Sequence, residues 1–137
     1  MTLAWWQRIL LLISLFSAGA TLVELLLLEH IEEWQQLIPV ALLVAAALSI
    51  VILLATSARW AVQLLRTVLA ICFASALLGM YFHYQANVEF VLERHPKMAG
   101  MELFKNAMTG AMPALSPGVM AQLALIGWLA TFSRRSA

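Results

Sequence analysis

The sequence predicts an all-α integral membrane protein, a four-transmembrane-helix bundle with a short amphipathic helix on the outer side. Three observations carry that prediction. Of the 137 residues, 64% are hydrophobic and only 11% are charged, whereas soluble domains carry about a quarter charged residues. The apolar residues are gathered in blocks close to the roughly 20 residues that a helix needs to cross a bilayer. Tryptophans, tyrosines and arginines sit at the ends of those blocks, where such side chains suit the headgroup level. Sheets are excluded on physical grounds. An open strand edge in hydrocarbon leaves backbone groups unpaired, and a closed barrel needs many alternating segments that this chain lacks.

The first span is predicted at about 5–28, opened by Trp5, Trp6 and Arg8. Its apolar run exceeds the core of a secretion signal and flows into an acidic stretch without a small-residue cleavage pattern, so it is read as a retained helix. An acidic loop follows, with Glu29, His30, Glu32, Glu33 and the anchor Trp34. The second span, about 37–56, is almost wholly Ala, Leu, Val and Ile, with Pro39 expected in its first turn. Thr56, Ser57 and Arg59 form a turn into the third span, about 60–85, which can continue past the membrane towards Pro96. Beyond it, Met98, Met101, Phe104 or Lys105, Met108 and Met112 recur at helical spacing, an amphipathic helix expected in the outer interface within a connection of about 86–113. Ser116 and Pro117 read as N-cap and first helical residue of a fourth span, about 114–132. The whole is expected to form a single membrane domain.

Arg8, Arg59, Arg66, Arg134 and Arg135 fall on one side of this scheme, and Arg94, Lys97 and Lys105 on the other. The positive-inside bias then places both termini in the cytoplasm, in a cytoplasmic or inner membrane of a prokaryote. The net charge of +1 gives no reason to invoke nucleic acid. A single cysteine, Cys72, rules out an intrachain disulfide and a CxxC metal site.

Polar residues inside the spans are the candidate functional residues, because such groups are costly when they face lipid. Ser14, Ser17, Thr21 and Glu24 are spaced 3, 4 and 3 apart and read as one stripe. Cys72, Ala76, Gly79, His83 and Asn87 share a face of the third span, with Gly79 admitting a close neighbour. Glu24, Glu29, His30, His83, Asn87 and Glu89 are thus expected near one depth at the outer end, offering titrating groups and N/O metal ligands. Glu24 and His83 are expected to share one polar site there. Thioethers select soft ions, so His83, His30, His95, Met98 and Met101 form a candidate metal set, against the plainer reading of methionine as apolar filler. Ser14, Ser17, Thr21, Gly79 and Gln122 are expected to serve packing inside the membrane, with Gln122 buried. Arg66 is expected to snorkel to the headgroups.

Two functions compete. One is a small non-enzymatic membrane subunit or accessory protein that acts through its helices and outer loop, its partners being lipid and a membrane protein or further copies of itself. The other is a metal-, haem- or proton-binding membrane protein, serving electron transfer, metal handling or ion-coupled transport from a site near Glu24 and His83. No HExxH or nucleophile-elbow pattern occurs, and no particular cofactor is indicated.

Overall fold

The computed structural model describes residues 3–28, 34–110 and 114–132. Every regular element among them is helical: α1 (Trp5–Leu27), α2 (Trp34–Thr56), α3 (Arg59–Arg94), α4 (Gly100–Met108) and α5 (Gly118–Leu129). Three of these, α1, α2 and α3, are long and apolar enough to cross a membrane.

Leucine dominates α1, and leucine with alanine dominates α2; their β-branched residues are tolerated because each helix is held by packing rather than by propensity alone. Pro39 lies inside α2, deeper than its predicted place, because the helix already begins at Trp34. The carbonyl that the ring leaves unbonded belongs to Gln35, an exposed residue at the helix end. After α2, Ser57 takes φ 49°, a left-handed conformation that ends the helix and turns the chain into α3. With 36 residues, α3 is about 54 Å long at the usual rise per residue. That exceeds the hydrocarbon thickness of about 30 Å, so its last turns project beyond any bilayer that holds its apolar part. It stops at His95, just before Pro96.

The fourth apolar block departs from expectation. Its helix, α5, has only 12 residues. Residues 114–117 precede it as turns. Gly118, Val119 and Met120 each donate to the carbonyl three residues back, so the segment enters the helix through tight turns. Pro117 occupies the cap position, and no side chain caps this end. Ser116 is therefore not the predicted N-cap.

Helix α1 packs on α2 and α5, and α3 packs on the same two partners, while α4 packs on α3. Helices α1 and α3 thus stand across from each other. Leu11, Leu43, Ile50, Leu65, Leu69 and Leu123 fill the centre. Contacts along α5 show its direction. Pro117 meets Gly79, Gly127 meets Leu69, and Thr131 meets Arg66. Likewise Leu123 meets Ser14, and Ala130 meets Gln7. Helix α5 therefore runs antiparallel to both α1 and α3, which run together.

Candidate functional site

The polar side chains collect at three levels. At the end where α1 and α3 begin, Gln7 and Arg66 converge on the C-terminus of α5. The last carbonyls of a helix have no partner within it. Here Gln7 Nε2 donates to the Ala130 carbonyl at 2.9 Å and to that of Phe132 at 3.1 Å. Its Oε1 accepts from the backbone N–H of Ala4 at 2.9 Å, so one amide closes two helix ends. Arg66 Nε donates to Thr131 Oγ1 at 2.8 Å and its Nη2 to the Thr131 carbonyl at 3.1 Å. The guanidinium also lies 5.2 Å from the centre of the Phe132 ring. A cation at a helix C-terminus is favoured by the helix dipole. Arg66 thus caps α5, in place of the simple snorkelling expected of it. Sequence reasoning missed Gln7 and Thr131 altogether. The one available signal was a buried-capable amide three residues into the first helix, and its acceptors lie 123 and 125 positions away.

Midway along the helices, Ser14 Oγ donates to the Leu123 carbonyl at 3.3 Å. A Cβ on Gly127 would come within 3.3 Å of that oxygen and 2.9 Å of Leu69 Cδ1. Close approach of α5 to both neighbours depends on these small residues. Ser17 and Thr21 are half-buried. Gln122 is exposed, because the inward face of α5 is made by Met120, Ala121, Leu123, Ala124 and Gly127. The expectation of a buried Gln122 is corrected accordingly.

At the opposite end, Gly79 admits Pro117, whose ring carbons lie 3.1 and 3.2 Å from where a Cβ would stand. His83 Nδ1 is 3.5 Å from Ser116 Oγ. One turn further, buried Asn87 donates from Nδ2 to the Ala107 carbonyl at 2.8 Å, tying α4 to α3. Gly110 lies against that amide. The Tyr84 and Phe104 rings, 5.9 Å between centres, add a second contact between α3 and α4. Helix α4 carries Glu102 in its first turn and Lys105 in its last, matching its dipole.

The hydroxyl of Ser116 and the imidazole of His83 stand at the outer limit of hydrogen-bonding distance. Asn87, one turn along from His83, is committed to α4. The first N–H groups of α5, which an oxyanion hole would need, already donate to carbonyls.

Glu24 stands apart from this region. It is exposed, on a shallow outward face that it shares with Phe16, Gly19, Ala20, Val23 and Leu27 of α1 and with Leu28 at the C-cap. The register through α5 puts Glu24 near the level of His83, but its side chain leaves the packed helices. Glu89 and His95 are exposed, Met101 is exposed and Met98 half-buried. Glu29 and His30 lie outside the described residues. Among the described residues no three His, Cys, Asp or Glu side chains form a group fit to hold a metal ion. Cys72 is buried, its Sγ 3.7 Å from the Leu42 carbonyl.

Comparison with protein-family models, with curated proteins and with solved structures found no match.

Proposed function

We propose that the chain is a small non-enzymatic membrane subunit or accessory protein. It crosses the bilayer four times, with both termini cytoplasmic, in a cytoplasmic or inner membrane of a prokaryote. It acts through its outward helix faces and through the α3–α4 projection on the outer side, against a membrane protein or further copies of itself.

One observation carries the reading: most of the buried polar side chains are engaged in holding one segment to another. Gln7, Ser14, Arg66 and Asn87 all bond to backbone carbonyls of a neighbouring segment. The surface is the reverse, with Phe16, Leu48, Leu78 and Leu125 all more than half exposed. A bilayer covers such a surface. The fourth crossing is supported by the pairing of α5 and its turns with α3 from His83 to Arg66. Those positions of α3 span about 25 Å by the usual rise, close to the hydrocarbon thickness.

Two experiments test this. Reporter fusions after residues 34, 58, 95 and 137 should place 34 and 95 outside and 58 and 137 inside. A shared location for 34 and 58 would sink the topology. Purification from native membranes in a mild detergent should yield a second chain, or further copies, at fixed stoichiometry. A lone, monodisperse protein refutes the subunit reading. Stoichiometric metal or visible colour in that preparation would favour the cofactor reading.

A further inference from the structure

We infer that the outward face of α1 around Glu24 is the docking site for one transmembrane helix of a different protein, a helix with a Lys or Arg side chain at the depth of Glu24. The inference rests on the membrane-subunit reading and deepens it by giving the partner's chemistry.

Glycine inside a helix weakens it, so a helical glycine calls for a reason. Gly79 has Pro117 against it, Gly127 has Leu69 and Ser14, and Gly118 has Met80. Gly19 has nothing within 4 Å of where its Cβ would stand. Among the described residues no contact uses the space that Gly19 leaves. Beside it is Ala20, also exposed, and both lie on the same shallow face as Phe16, Val23 and Leu27. Small residues flanked by large ones are what a second helix needs in order to approach a backbone closely in lipid.

Glu24 supplies the choice of occupant. It shares that face, one turn beyond Ala20 and before the apolar run 25–28. A carboxylate there lies near the outer edge of the hydrocarbon, one turn inside the end of α1, where a paired cation offsets the cost of holding its charge away from water. Among the described residues no Lys or Arg stands at the level of Glu24. Arg8, Arg59 and Arg66 lie at the opposite end of α1 and α3, with Arg134 and Arg135 following α5. Arg94, Lys97 and Lys105 lie beyond the His83 level. A second copy fits poorly for the same reason. Copies inserted with one topology and meeting through this face would bring two Glu24 carboxylates to the same depth, where like charges repel. A foreign helix bearing a cation removes the cost of the carboxylate and fills the space at Gly19.

The test uses the full chain in phosphatidylcholine vesicles with a labelled synthetic Leu/Ala helix of about 21 residues. One probe carries a single Lys five residues from one end, and its control carries Leu there. Energy transfer should show the Lys probe binding about 3- to 30-fold more tightly, the range expected for polar contacts between helices in lipid. That advantage should vanish in Glu24→Gln, and Gly19→Leu should weaken both probes. Should Gly19→Leu disturb folding, Ala20→Leu blocks the same face. Equal binding of the two probes, or a Lys advantage that survives Glu24→Gln, overturns the inference. So does self-association of the labelled chain that Gly19→Leu abolishes and Glu24→Gln strengthens, since a second copy is then the occupant. A native partner that copurifies equally well with Glu24→Gln would refute this docking site and leave the subunit reading intact. A native preparation without any second chain refutes the subunit reading, while the two probes still decide the chemistry of the face.

Discussion

Replacing Gly110 by alanine should release α4 from α3. A Cβ at this position would lie 2.6 Å from Asn87 Cγ, 2.7 Å from Oδ1 and 2.9 Å from Nδ2. All three distances are shorter than real Cβ contacts, and the amide they strike is buried. Asn87 cannot retreat without breaking its 2.8 Å bond to the Ala107 carbonyl. An orphaned buried polar group costs about 1–3 kcal/mol, and overpacking costs a similar amount. Partial relaxation makes about 2–3 kcal/mol a fair sum, equivalent to a roughly 30- to 160-fold change in the docking equilibrium. Because α3 is the main packing partner of α4 among the described residues, the effect should be local. Hydrogen exchange in residues 100–108 should accelerate by that factor, and trypsin should cut faster after Lys105, with exchange in α2 unchanged. The cycle with Asn87→Ala sharpens the test. Removing the amide creates the space that the new methyl needs, so Gly110→Ala should cost little in that background. Unchanged exchange in α4, or an equal cost of Gly110→Ala with and without Asn87, would refute this account of the contact.

Three further outcomes follow from the same contacts. Arg66→Leu should destabilise the protein by about 1.5–3 kcal/mol, the range for hydrogen bonds to a charged group, and Arg66→Lys should recover only part because the planar fork is lost; thermal unfolding in detergent reads both. Gly79→Ala should cost about 1–3 kcal/mol, because the rigid ring of Pro117 stands 3.1 Å away, whereas Gly19→Ala should be neutral or stabilising by up to about 1 kcal/mol; a reversed order would contradict the placement of α5. Ser57→Gly should stabilise by about 0.5–1 kcal/mol in the same assay, since φ 49° strains a residue with a side chain.

What could be read from the residues was what depends on composition along the chain. Lipid-length apolar runs marked three long helices, Pro96 marked the end of α3, and Gly79 marked a close neighbour. The rotation of each helix was not legible. Ser14, Ser17, Thr21 and Glu24 look like one stripe because their spacings of 3, 4 and 3 are helical. Each residue advances about 100°, so the ten steps from Ser14 to Glu24 end about 80° short of three turns. Ser14 therefore points at α5 while Glu24 has turned out of the core. The level shared by Glu24 and His83 could be inferred by counting, but a shared site also requires matching azimuth. Gln122 misled for a related reason. A lone amide in an apolar run suggests burial, yet the small residues on either side of it form the inward face. Gln7 was opaque because its acceptors across the fold are carbonyls, which carry no mark in a sequence, and Arg66 because its partner Thr131 lies 65 positions away.

The capping of α5 also bears on how the protein is made. Gln7 emerges from the ribosome 123 residues before Ala130, one of its acceptors. Arg66 precedes Thr131 by 65 residues. The earlier helices therefore reach their places with an amide and a guanidinium still awaiting these partners. Helix α5, with 12 residues, falls short of what insertion on hydrophobicity alone favours. Each side thus depends on the other: α5 gains a seat against α1 and α3, and their two polar side chains gain acceptors. Assembly waits on α5 and the residues just after it, and a nascent chain halted before Ala130 leaves the Gln7 amide and the Arg66 guanidinium without these acceptors.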